Sequence, residues 1–180
     1  MEFDSNNVYC IDIDNTICDS SSEYARWKEE CSRIGCGCFS PDDHRFCSIG
    51  NKSVCIYGPR FRAAGIFSDD VLRSLPPILN VRRVLKRFRT AYYVSGRPES
   101  QRASTLDWLE RMSFPLFRLY LRHNEDMRAG VIGKAEVIFA IKSVYGKDGE
   151  TWVWIDDDDR AQPLADQLGV EFIKAPECFF

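Results

Sequence analysis

The stretch Val8-Tyr9-Cys10-Ile11-Asp12-Ile13-Asp14-Asn15-Thr16 decides the fold of this chain. Its first four residues form a short apolar run, which is typical of a buried strand, and a loop with two carboxylates follows at once. The same arrangement occurs twice more, because the apolar run Ala91–Val94 ends at Ser95 and the apolar run Thr151–Ile155 ends at Asp156. Three predicted strands therefore each end in polar side chains.

Helical patterns alternate with these strands, which predicts an α/β fold built on a parallel sheet flanked by helices. In such sheets ligands bind beyond the carboxyl ends of the strands, so the three polar strand ends are expected to converge on one site. The spacing of apolar residues predicts helices over Ile78–Phe88, Glu99–Met112, Lys134–Tyr145 and Ala161–Leu168, and further strands over Leu116–Leu121 and Val170–Ile173.

Residues 17–76 interrupt the alternation between the first strand and the next helix. A structureless loop of that length is uncommon in a compact domain, so we expect a small inserted cap, with the core formed by residues 1–16 and 77–180. Within the insert, the pattern predicts a helix over Ser21–Arg33 and a hairpin made by Phe46–Ile49 and Ser53–Tyr57.

Several cysteines and a histidine lie close together in this insert. They are either a tetrahedral zinc site or ordinary reduced thiols, and the second interpretation is favoured because the paired Cys-x-x-Cys spacing is missing. The residues concerned are Cys31, Cys36, Cys38, His44 and Cys47.

The composition is that of a globular protein, with 180 residues of which 44% are hydrophobic and 28% charged. The polar, acidic N-terminus lacks the pattern of a signal peptide, and no apolar run is long enough to span a membrane. We therefore expect a cytoplasmic protein with no membrane partner, whose eight cysteines are reduced. The segment from Arg82 to Arg128 carries eleven Lys/Arg against five Asp/Glu, which suits an anionic substrate.

The residues at the strand ends are suited to phosphoryl chemistry. Asp12 and Asp14 can take different roles, one attacking phosphorus and the other transferring a proton. Together with Asp156 and Asp157 they form a dense negative site, for which Mg²⁺ is the hard cation that fits best. Ser95, Arg97 and Lys134 are placed to hold the phosphate and to neutralise its charge.

These motifs in this order resemble the haloacid dehalogenase superfamily of phosphohydrolases, which implies a Rossmann-like fold. The pieces that carry the resemblance are Asp12-Ile13-Asp14-Asn15-Thr16, Ser95, Lys134 and Ile155-Asp156-Asp157. The resemblance implies that Asp12 is the nucleophile and Asp14 the general acid/base. It further implies that Ser95 and Lys134 bind phosphate, and that Mg²⁺ is held by Asp12, Asp156, Asp157 and the backbone carbonyl of Asp14.

Within that superfamily the chain is most similar to the 3'-phosphatase domain of polynucleotide kinase-phosphatases. Ser95-Gly96-Arg97 matches the second motif of that domain, and Arg122, Asp126, Arg128 and Lys134 match its run of charged residues. The similarity implies that these residues, together with Thr16, contact the substrate. The chain has no Gly-x-x-x-x-Gly-Lys-Ser/Thr loop, so we expect no kinase domain within it.

Three functions stay open at this point. The expected substrate is a phosphorylated nucleic-acid end, specifically a 3'-phosphate, or a nucleotide. The alternative is a small phosphorylated metabolite over which the insert closes. A third possibility, from another class, is a phosphate-binding module without catalysis, against which the intact pair of Asp12 and Asp14 argues.

Overall fold

The computed structural model describes residues 6–33, 67–126 and 130–175. The sheet consists of five strands: β1 (Asn7–Ile11), β2 (Thr90–Pro98), β3 (Arg118–Arg122), β4 (Thr151–Asp156) and β5 (Glu171–Lys174). The α-helices described are α1 (Ser21–Arg33), α2 (Asp69–Ser74), α3 (Val81–Leu85), α4 (Arg102–Arg111), α5 (Gly130–Tyr145) and α6 (Ala161–Leu168).

All neighbouring strands run parallel, in the order β3-β2-β1-β4-β5. The strand that opens the chain is central, with β2 and β4 hydrogen-bonded on either side of it. Because parallel strands share one carboxyl edge, the residues after β1, in the last part of β2 and at the end of β4 meet there. The predicted α/β fold with a Rossmann-like parallel sheet is confirmed.

Each face of the sheet is covered by its own apolar core. Tyr9 and Ile11 point to one side, where they pack with residues of α2, α3 and α4. Val8 and Cys10 point to the other side, where they pack with residues of α5 and α6. This alternation along β1 follows from the two-residue period of a strand, and it explains why β1 is apolar throughout.

The ends of the expected insert pack against the sheet layer. Helix α1 is present with its predicted bounds, and the unpredicted helix α2 buries Leu72 in the same core as Ile17. The predicted hairpin and most of the cysteine group lie outside the described residues, so the division into core and cap stays a prediction. Among the helices that the structure describes, none has the length and apolar character needed to cross a membrane.

Candidate active site

The loop after β1 is a tight turn, and the carboxylates of Asp12 and Asp14 within it have different partners. The backbone N–H of Asp12 continues the sheet by donating to Ile155 O at 2.9 Å. The carbonyl of Ile13 then accepts from Ile17 and Cys18, both at 2.9 Å, which closes the turn. Asn15 sits inside it with φ 55°, in the left-handed region that Asn adopts more readily than most residues.

Lys134 lies between two carboxylates at the carboxyl edge of the sheet. Its Nζ is 2.6 Å from Asp156 Oδ2 and 3.1 Å from Asp12 Oδ2, and all three residues are at most 7% exposed. Burial alone would lower the pKa of Lys134, but Asp12 and Asp156 raise it above its usual value. The lysine therefore stays charged beside the proposed nucleophile.

Asp12 is itself a buried carboxyl among other acids. Burial raises the pKa of Asp12 above its usual range, Lys134 opposes this, and Asp156, Asp157 and Asp14 add to the rise. Burial and the neighbouring Asp156 also raise the pKa of Asp157, to about 6. Excess negative charge in a site of this kind favours binding of a cation.

The geometry of three carboxylates fits a small divalent cation. One oxygen each from Asp12, Asp156 and Asp157 lies within 4.8 Å of the other two. Oxygen donors at this spacing match what Mg²⁺ uses when it keeps some waters and binds phosphate oxygens. These three side chains fit the predicted metal site, while the side chain of Asp14 has a different partner.

That partner is Arg97, which forms a forked ion pair with Asp14. Arg97 Nε donates to Asp14 Oδ2 at 2.8 Å, and Nη2 donates to Asp14 Oδ1 at 2.7 Å. The remaining Nη1 donates to Thr105 Oγ1 at 3.2 Å, and Arg97 is only 5% exposed. Its predicted contact with phosphate stays a prediction, but in the structure its guanidinium orients Asp14.

Ser95 and Thr16 offer hydroxyl groups near the same edge. Ser95 Oγ accepts from the backbone N–H of Arg97 at 3.2 Å, which leaves its own proton for another acceptor. Thr16 is fully buried, and its Oγ1 has no hydrogen-bond partner in the structure. The predicted contacts of Ser95 and Thr16 with substrate stay predictions.

The charged run after β3 is described only in part. Arg122 ends β3 next to the last part of β2, and its Nε is buried without a hydrogen-bond partner. Burial lowers the pKa of Arg122, and Asp126 opposes that effect, so the two side chains are near each other. Arg128 lies outside the described residues.

Comparisons with known proteins give structural matches and no sequence matches. No family model matches this chain, and no curated protein matches it. A solved chain of the Pnkp1/Rnl/Hen1 RNA repair complex is similar at 14% identity with a TM-score of 0.55, and the match covers 97% of this chain. This chain spans 44% of the length of that one.

Two further solved structures match over most of both chains. One is a haloacid dehalogenase-like family protein from Streptococcus pneumoniae, with 14% identity, a TM-score of 0.60, and coverage of 93% of this chain and 83% of that one. The other is a haloacid dehalogenase-like family hydrolase from Xanthomonas campestris, with 14% identity, a TM-score of 0.55, and coverage of 94% and 82%. This chain has the haloacid dehalogenase-like fold.

Two residues near the site of this haloacid dehalogenase-like fold were missed by the sequence analysis. Trp154 donates from Nε1 to Asp156 Oδ2 at 2.9 Å. Burial raises the pKa of Tyr24, and the carboxylates of Asp14 and Asp12 raise it further, so its hydroxyl lies near them. The spacing of Trp154 and Asp156 carries a signal, because residues two apart on a strand share a face, whereas nothing in the sequence points to Tyr24.

Proposed function

We propose that this protein is a Mg²⁺-dependent phosphomonoester hydrolase that acts through an aspartyl-phosphate on Asp12. The observation that supports this most is the position of Lys134 Nζ, 3.1 Å from Asp12 and 2.6 Å from Asp156, where three strand ends meet. A charged lysine beside a buried carboxylate can hold the phosphoryl oxygens next to the attacking atom. Bound Mg²⁺ would supply positive charge that stabilises the charge on the phosphoryl oxygens.

The first half-reaction transfers the phosphoryl group to the enzyme. A carboxylate oxygen of Asp12 forms a bond to phosphorus as the bond from phosphorus to the leaving oxygen breaks. Asp14 gives a proton to that leaving oxygen, so an alcohol departs. Arg97 keeps Asp14 in place through both oxygens, and each oxygen retains a lone pair that can face the substrate.

The second half-reaction regenerates the enzyme. Asp14, now ionised, takes a proton from water while the water oxygen attacks the phosphorus of the aspartyl-phosphate. The bond between Asp12 and phosphorus breaks, and inorganic phosphate is released. Lys134 and Ser95 hold the phosphoryl oxygens in both steps.

For the substrate we propose a nucleic-acid 3'-phosphate or a nucleotide. Support comes from the similarity to a chain of an RNA repair complex and from Arg122, whose buried Nε has no hydrogen-bond partner in the structure. Small-metabolite phosphates are the second candidate, because the site residues described here would hold a phosphoryl group whatever alcohol carries it. A 3'-phosphorylated oligonucleotide, nucleoside monophosphates and sugar phosphates, compared at equal concentration, separate the two.

Asp12→Asn tests the reaction itself. The amide of Asn is a poor nucleophile, so turnover of an aryl phosphate with Mg²⁺ should fall by at least about a thousand-fold. Asp148→Asn, at an exposed loop position, is the matched control and should keep full activity. Retained turnover in Asp12→Asn would exclude the aspartyl-phosphate mechanism.

A further inference from the structure

The indole of Trp154 reaches the edge of the proposed active site from the core. Trp154 and Asp156 are two residues apart on β4, so their side chains lie on the same face of the sheet. Both are fully buried, and Trp154 Nε1 donates to Asp156 Oδ2 at 2.9 Å. An indole has one N–H donor and no acceptor, so Asp156 satisfies its whole hydrogen-bonding capacity.

Asp156 is fixed at both oxygens by groups that do not react. Its Oδ1 accepts from the backbone N–H of Asp158 at 3.0 Å, and its Oδ2 accepts from Trp154. The same Oδ2 is the closer partner of Lys134 Nζ, at 2.6 Å. Contacts therefore run from the Trp154 indole through Asp156 to Lys134 and on to Asp12.

We propose that Trp154 is a positioning residue that acts through Asp156 to set the place of Lys134 and of the metal-site carboxylates. Without the indole N–H, Oδ2 would be held by Lys134 alone while Oδ1 keeps the Asp158 N–H, so the carboxylate would be held less firmly on its Oδ2 side. Lys134 would then shift relative to Asp12, and the Asp156 oxygen would leave the arrangement that suits a cation. Partners of this kind behind metal ligands change activity or metal affinity about 10- to 100-fold when removed.

Trp152 gives a matched control on the same strand. It is two residues before Trp154, on the same face and 3% exposed, but its ring stacks on Tyr92 with centroids 6.2 Å apart. Replacing either tryptophan by Phe removes the same side-chain volume from the core. Only Trp154→Phe removes a donor to Asp156, so the difference between the variants separates positioning from packing.

The inference rests on the proposed function, and the experiment has one readout with turnover and one without. The first is kcat and KM on an aryl phosphate. The second is the Mg²⁺ Kd of the folded chain, obtained by fitting the rise in unfolding free energy with Mg²⁺ concentration to RT ln(1 + [L]/Kd). A further variant carries β-(3-benzothienyl)alanine at position 154, which keeps the bicyclic shape and replaces the N–H by sulfur, so it stays informative if Trp154→Phe folds poorly.

We expect kcat to fall about 10-fold or more, and the Mg²⁺ Kd to rise about 10-fold, in both position-154 variants. KM should stay within about two-fold, and Trp152→Phe should match the wild type in both readouts despite a lower Tm. If the wild type is active and the position-154 variants match Trp152→Phe in both readouts, the inference is overturned and the proposed function is not. If the wild type is inactive but the Mg²⁺ Kd still rises in the position-154 variants, the proposed reaction alone is contradicted. A chain that neither turns over nor responds to Mg²⁺ overturns both.

Discussion

At the scale of single residues, the partner of each charge in the site decides what that charge can do. Lys134 has a carboxylate on either side, so it is held beside Asp12 and kept protonated. Arg97 is held by Asp14 on two of its nitrogens and by Thr105 on the third. Two cations of one site therefore serve different anions, one the nucleophile and the other the proposed acid/base.

Arg97→Lys should show this division of roles in kinetics. A lysine is a point charge and cannot reproduce the forked contact with Asp14, so the proton-transfer group would lose its orientation. We expect kcat to fall about 100-fold with KM changed by less than about three-fold, since an interaction that acts on the reacting state is lost. Steady-state kinetics on an aryl phosphate measure both, with exposed Arg83→Lys as the control.

The opposite result has an equally clear meaning. A large rise in KM with little change in kcat would show that Arg97 binds the ground-state phosphate, as its place in the Ser-Gly-Arg motif predicts, and that its contact with Asp14 is secondary. Urea unfolding of the variant provides a second measurement. A partly broken buried ion pair should lower its free energy of unfolding, by up to about 3–5 kcal/mol.

The residues of the site were predictable where their position in the chain fixes their position in space. Asp12 and Asp156 each follow or end an apolar strand, and parallel strands bring such ends together whatever the side chains do. The pairing of Arg97 with Asp14 was not predictable, because those residues are 83 positions apart and the contact depends on rotamers. The Trp154 contact was overlooked for another reason: a strand tryptophan is most simply interpreted as core.

At the scale of elements, the ends of helices were harder to predict than their existence. Helix α5 begins at Gly130, earlier than the predicted start at Lys134, because two glycines in its first turn carry no apolar signal. A Cβ on Gly130 would lie 3.5 Å from Gly96 Cα, an ordinary van der Waals contact, so the first turn of α5 lies next to the backbone of β2. Helix α3 is shorter than predicted, since Asn80 precedes it with φ 66°, outside helical geometry.

Helix α6 ends as its sequence predicts, and its end can be tested alone. Gly169 follows it with φ 60°, and Lys142 Nζ donates to the carbonyls of Leu168 and Gly169 at 2.8 and 2.9 Å. Gly169→Ala places a Cβ in the left-handed region, which should lower the free energy of unfolding by about 1–2 kcal/mol. Urea unfolding measures this change.

Two comparisons make that test specific to backbone conformation. Gln162→Ala, at an exposed position of the same helix, should stay within about 0.5 kcal/mol of the wild type. Aryl-phosphate turnover by Gly169→Ala at 25 °C should equal that of the wild type, since the contacts described for Gly169 are with Ala165, Asp166 and Lys142, outside the proposed site. Equal stability of the two variants would mean that the end of α6 relaxes and that its backbone conformation is not under strain.

At the scale of the whole molecule, the two-sided core makes stability depend on neutral groups at the centre of the sheet. Cys10 is on the central strand β1, fully buried among the residues that α5 and α6 contribute. Burial raises the pKa of its thiol from the ordinary 9.0 to about 12. A thiolate formed in the unfolded chain is solvated by water, whereas one formed in the folded chain would have no such solvent.

The free energy of unfolding should therefore fall as the pH rises above 9. The raised pKa means that the folded chain keeps its thiol proton longer than the unfolded chain, so the contribution of Cys10 is fully present below pH 9 and is lost progressively up to pH 12. Between pH 8 and pH 10 this amounts to about 1.4 kcal/mol for Cys10 alone.

Urea unfolding at both pH values measures this loss of unfolding free energy. Cys10→Ala should reduce the loss by that amount, even though the substitution itself lowers stability at pH 8. Burial also raises the pKa of Tyr93, but its contribution to the pH dependence is the same in the wild type and in Cys10→Ala and cancels in the comparison. The same loss in Cys10→Ala as in the wild type would show that the thiol ionises equally in both states, and hence that water reaches the centre of the sheet.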